Sequence, residues 1–165
     1  HSFPTRRSSD LLPTEAEWEF AARGGLEGAE YAWGNTLSPQ NVPLANYWQG
    51  DFPHQNLLLD GWARTSPVRS FPANGYGLFD MIGNVWEWTN DAWSLPNHGT
   101  APVRGCCASE SKSAMMQKVL KGGSHLCAPN YCQRYRPAAR HPQATDSPAS
   151  HIGFRCVADS IPHPR

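Results

Sequence analysis

The chain has 165 residues, 39% of them hydrophobic and seven of them Trp, enough apolar surface for one packed domain and too much for a disordered chain. Fourteen basic residues balance fourteen acidic ones, so bulk charge recruits neither nucleic acid nor an anionic membrane surface. No apolar run approaches the ~20 residues that a membrane-spanning helix needs, and a soluble monomer with local recognition is expected.

Residues 1–11 read HSFPTRRSSDL, one translated frame of a sequencing adapter joined to a gene fragment. They are set aside as non-native, which leaves residues 12–165 as a single, N-terminally truncated domain. The clearest helix signal spans residues 14–23. Thr14 and Glu17 form a capping-box pattern after Pro13, Trp18, Ala21 and Ala22 share a face, and Gly24-Gly25 supply the stop. From there to about residue 80 the pattern is irregular, with the aromatic segments Tyr31-Ala32-Trp33-Gly34 and Asn46-Tyr47-Trp48 set between turn residues. Long ordered loops, held by function or by ions, are expected there. Strands are expected at 85–89, 118–121 and 152–158, the last alternating Ile152, Phe154, Cys156 and Ala158 on one face. Residues 97–117, poor in aromatics and rich in small residues, read as a surface insertion.

Five cysteines, Cys106, Cys107, Cys127, Cys132 and Cys156, are too few and too late in the chain for a dense disulfide framework. The informative pair lies in Gly122-Gly123-Ser124-His125-Leu126-Cys127-Ala128-Pro129-Asn130-Tyr131-Cys132. Pro129 disfavours a continuous helix, and in a loop the two sulfurs can face each other. A disulfide, a partial zinc site or a two-thiolate Cu(I) site all fit that spacing. Two thiolates suit the low coordination number of Cu(I) better than structural zinc, which takes four ligands.

The segments LPTEAEWEFAARGG, GYGLFDMIGNVWEWTND, KGGSHLCAPNYCQRYRPAAR and SHIGFRC, in this order, together resemble formylglycine-generating enzymes over nearly all of residues 12–159. LPTEAEWE, GNVWEWT and GFRC also occur across the wider fold family, so they speak to fold, whereas the cysteines of GGSHLCAPNYC discriminate function. The resemblance implies a loop-rich α+β fold of the FGE-sulfatase, C-type-lectin-like class with little regular secondary structure. It implies a copper-dependent oxidase that uses O2 to convert the cysteine of a CxPxR motif in a nascent sulfatase to Cα-formylglycine. Cys127 and Cys132 would hold Cu(I), or form a disulfide without it. Ser124 would be the active-site serine and Trp86 a wall of the oxygen pocket. The bland readings of the last two are a turn hydroxyl and a core Trp.

The same resemblance implies two structural Ca²⁺ sites, whose oxygen donors suit a hard cation. Asn46 and Asp60 with carbonyls at Tyr47 and Trp62 would make one, and Asp80 and Glu87 with carbonyls at Gly83 and Val85 the other. Cys156 would lack its upstream partner. A second cross-link of animal relatives is absent, since Ala22 and Pro137 stand at its positions, which points to a bacterial-type cytoplasmic enzyme. Cys106 and Cys107 receive no role. The competing readings are a non-catalytic binding module of the same fold and an inactive fragment.

Overall fold

The computed structural model describes residues 10–94 and 117–158. Among these described residues one α-helix, α1, covers Glu15–Arg23. Thr14 caps it: its Oγ accepts from the Glu17 amide, and the Glu17 carboxylate accepts from the Thr14 amide, closing the expected capping box. Gly24, in the left-handed region at φ 57°, ends it. Trp18 and Ala22 turn into the core and Ala21 packs against it.

The strands are β1 (Asp10–Leu11), β2 (Trp86–Ala92), β3 (Gln117–Lys121), β4 (His141–Ala144), β5 (Ile152–Gly153) and β6 (Val157–Ala158). Four make a sheet in the order β4-β3-β2-β5, antiparallel except for the parallel β2–β5 pair. The other two pair separately, Asp10 opposite Ala158 and Leu11 opposite Val157. The last two residues of the adapter-like segment therefore lie in a ladder.

Three expectations about strands change. The single strand over 152–158 is two short strands in different sheets, because Arg155 turns inward to the carboxylate of Glu87. Phe154 and Cys156 are exposed, whereas Ile152, which shares their alternation, is half-buried. Strand β4 carries no strand pattern, since its sequence is HPQA. It is tolerated as an edge strand, with Pro142 opposite Val119. Gln117, assigned to the insertion, starts β3 opposite Ala144, while residues 97–116 lie outside the described residues.

The stretch between α1 and β2 contains only a short 3₁₀ turn, Pro39–Asn41. Side-chain amides hold it in place. Asn74 donates to the carbonyls of Ala21 and Ala22 at the end of α1 and accepts from the amides of Tyr76 and Leu78. Asn84 brackets Ser66, accepting from its amide and donating to its carbonyl. Each such bond satisfies a backbone group that no helix or strand would serve. Beneath them lies a core of Trp18, Tyr31, Ala45, Tyr47, Met81, Ile82, Trp86, Leu120, Cys127 and Tyr135. Fully buried Lys121 ties β3 to α1: its ammonium lies 3.0 Å from Glu19 and 3.6 Å from Glu15.

Candidate active site

The cysteine pair is presented by a glycine-led turn after β3. Gly122 and Gly123 have φ of 90° and 71°, and a Cβ on Gly123 would stand 2.8 Å from the Tyr135 amide nitrogen. Only glycine permits that approach. It lets residues 134–135 fold back under the thiols. His125 fixes the turn from the other side, its amide and Nδ1 both donating to the Asn84 carbonyl at 2.9 and 3.0 Å. The Cys127 amide donates to the Ser124 carbonyl, the Trp48 amide to the Cys127 carbonyl, and the Cys132 amide to the Ala128 carbonyl.

The result is two free thiols whose sulfurs lie 3.2 Å apart, one donating to the other. That separation is well beyond a covalent S–S bond of about 2.05 Å. Cys127 is buried and Cys132 half-buried. The hydrogen bond from its partner, with the nearby Arg134 charge, pushes the Cys132 thiol down to about 6. The same hydrogen bond, together with burial, pushes Cys127 up. The pair therefore gives up its first proton from Cys132 while Cys127 keeps its own. The Arg134 amide serves both sulfurs.

Ser124 is buried in this turn, its hydroxyl accepting from the Leu126 amide at 3.3 Å. Trp86 belongs to the same buried cluster as Cys127, and its ring stacks on His141 at 5.3 Å. His141 in turn accepts from Arg134 through Nδ1 at 2.7 Å. Burial, then Arg134, lowers the His141 pKa, which keeps the ring neutral and able to accept. His125, Arg134, Tyr135 and His141 were not singled out from the sequence. Arg134, two positions after Cys132, carried the one available signal.

The two sets of candidate cation ligands differ. In the first, the Asn46 Oδ1 atom is buried without a hydrogen-bond partner, an orphan acceptor that a hard cation would satisfy. The Gln49 amide donates to both the Tyr47 carbonyl and Asp60 Oδ2, while Asp60 Oδ1 accepts from the Trp62 amide. These residues fit a cation if Gln49 yields. In the second, Arg155 grips Glu87 through two bonds of 2.6 Å and Trp18 Nε1 adds a third at 2.6 Å. Asp80 Oδ2 accepts from the Arg69 amide. The Glu87 carboxylate is thus already neutralised, and as arranged this second set does not fit a divalent ion. Cys156 is exposed and free, and Cys106 and Cys107 lie outside the described residues.

The sequence is 56% identical over 155 residues to a formylglycine-generating enzyme of Mycobacterium tuberculosis, covering 91% of this chain and 51% of that protein. It is 48% identical to the mouse (Mus musculus) protein of the same name, covering 92% of this chain and 40% of that one. A bovine (Bos taurus) relative, 38% identical over 89% of this chain and 43% of its own length, bears the name inactive C-alpha-formylglycine-generating enzyme 2. Among solved structures, Treponema denticola variable protein 1 superposes with a TM-score of 0.63 at 29% identity, covering 89% of this chain and 46% of that one. The chain thus spans about half the length of the curated relatives it matches. The sulfatase-modifying factor enzyme 1-like domain matches residues 4–160, and together with these relatives it shows that the chain belongs to that family.

Proposed function

We propose that this chain carries the thiol-bearing part of an oxidase that converts the cysteine of a CxPxR motif in a nascent sulfatase to Cα-formylglycine, using O2 and Cu(I). The observation that supports this reading is the free thiol pair, 3.2 Å apart, with no cluster of three or more His, Cys, Asp or Glu ligands among the described residues. Two soft donors and no third leave room for a substrate sulfur beside them. Cys127 and Cys132 would hold the copper, which when bound would supply the oxygen chemistry.

The chain's own residues prepare that position. Cys132 releases the first proton at Sγ, and the Arg134 amide and side chain support the negative charge that remains. Cys127, almost fully buried, keeps water from one side of the sulfur pair. The Ser124 turn and the Trp48–Cys127 bond fix its backbone, so the donors are oriented before a ligand arrives. A reducing compartment keeps both thiols available.

The test is copper(I) competition with a chromogenic chelator, alongside mass analysis of a CxPxR peptide incubated with copper, reductant and O2. Cys127→Ser and Cys132→Ser should each fold, lose tight copper binding and abolish conversion. Cys156→Ser should retain copper. Parental turnover in either active-pair variant refutes the oxidase reading. The name of the bovine relative keeps a second reading in view, a non-catalytic module of the same family. Such a module has no reason to hold Cu(I) through Cys127 and Cys132.

A further inference from the structure

We propose that Asn74-Gly75 is a self-modifying latch: succinimide formation there releases ammonia, leaves aspartate or isoaspartate at position 74, and unfastens α1 from the loop ahead of β2. No other Asn-Gly pair occurs in the sequence. An asparagine followed by glycine is chemically labile, because no side chain shields the next backbone nitrogen from the amide carbon. In this fold both residues are committed. Asn74 Nδ2 donates to the Ala21 and Ala22 carbonyls at 2.7 and 3.3 Å, and its Oδ1 accepts from the Tyr76 and Leu78 amides at 3.0 and 3.1 Å. A Cβ on Gly75 would stand 2.2 Å from the Gly24 carbonyl oxygen.

The reaction needs nothing beyond water. The Gly75 nitrogen attacks Asn74 Cγ, a C–N bond forms there, and the Cγ–Nδ2 bond breaks. Nδ2 leaves as ammonia, carrying the proton that the Gly75 amide gives up. Water then opens the cyclic imide, and no oxidant or reductant takes part. Attack at Cγ leaves aspartate and an ordinary peptide bond, whereas attack at the former main-chain carbonyl reroutes the backbone through Cγ as isoaspartate, one methylene longer. The folded chain retards the first step. Attack turns Cγ tetrahedral, which pulls its nitrogen and oxygen out of the directions that their four partners require.

Either product turns the latch against the helix. A carboxylate cannot donate, so the Ala21 and Ala22 carbonyls lose their partner. It also sets a negative charge at the C-terminal end of α1, where the helix dipole is already negative. The added methylene of isoaspartate meets a crowded backbone, since a Cβ on Gly24 would lie 2.8 Å from the Gly75 nitrogen. The disturbance has a route to the thiols. Trp18 of α1 lies in the core, and a Cβ on Gly122, at the head of the thiol-bearing turn, would stand 3.0 Å from its ring. Glu19 of the same helix holds Lys121, the residue before that turn. Loosening α1 therefore loosens the support beneath Cys127.

The test ages the parent chain at mildly alkaline pH, folded and in denaturant, and locates isoaspartate by peptide mass analysis and enzymatic methylation. In denaturant Asn74 should be the first asparagine to convert, and folding should slow it by at least about tenfold. The aged fraction, separated by its added negative charge, should melt about 5 °C or more below the parent. Its Cys127 should alkylate about fivefold faster or more. Asn74→Asp should reproduce the loss of Tm, and Asn74→Ala should show less of it, since alanine adds no charge. If neither variant folds, the latch is required for folding, and the aged parent still decides by its Tm. Conversion of another asparagine before Asn74, equal rates in the folded and denatured chain, or an aged fraction that melts with the parent overturns the proposal. Each of these outcomes leaves the copper reading standing, because that reading rests on other residues.

Discussion

Alkylation of Cys132 as a function of pH probes the thiol pair without any metal. An ordinary thiol with a pKa of about 8.5 is roughly 3% thiolate at pH 7. With Cys132 pushed down to about 6, most of it is thiolate at that pH. That is a roughly thirtyfold gain in reactive form. Nucleophilicity falls with basicity, however, at a Brønsted slope of about 0.4–0.5, which over about 2.5 units returns a factor of roughly 10–18. The net rate gain over a free cysteine at pH 7 is then only about two- to threefold, so the rate alone decides little. The shape of the profile is decisive. Cys132 should alkylate with an inflection near pH 6, and Cys127→Ala should move the inflection upward, because the hydrogen bond from Cys127 is the largest cause of the depression. Peptide mapping by mass spectrometry separates Cys132 from exposed Cys156. An inflection near that of an ordinary thiol in the parent, or one indifferent to Cys127→Ala, would refute the coupled-pair reasoning.

Two further outcomes test the scaffold. Gly83→Ala should destabilise the chain by about 2–4 kcal/mol in chemical denaturation, since Gly83 has φ 79° and an added Cβ would stand 2.4 Å from the Asn46 carbonyl oxygen; a loss under ~1 kcal/mol would contradict this. Calcium at about a hundredfold over its dissociation constant should stabilise the fold by about 2.7 kcal/mol, raising Tm by roughly 5–10 °C relative to chelator. That rise should vanish in Asn46→Ala and Asp60→Ala and persist in Asp80→Ala, because the orphan acceptor lies at the first site and Arg155 already neutralises the second. A calcium effect that depends on Asp80 but not Asp60 would reverse the assignment.

What the sequence determined by itself was local. The capping box at Thr14 and Glu17, the glycine stop, and the refusal of residues 122–132 to form a helix follow from interactions spanning a few residues, so they were legible in order along the chain. The resemblance also located the cysteine pair and its family, because motif order survives without coordinates. What only the tertiary structure decided depends on residues far apart in sequence. Asn84 joins Ser66, Asn46 and His125, and Trp48 holds the Cys127 carbonyl. No periodicity encodes such contacts, because the loops between them have no repeat. The strand over 152–158 shows the physical reason most directly. Its alternation put Phe154 on one apolar face with Ile152, but a buried Glu87 carboxylate needs a cation, and satisfying that charge outweighs the burial of one aromatic ring. Arg155 turns in to pair with Glu87, and Phe154 turns out.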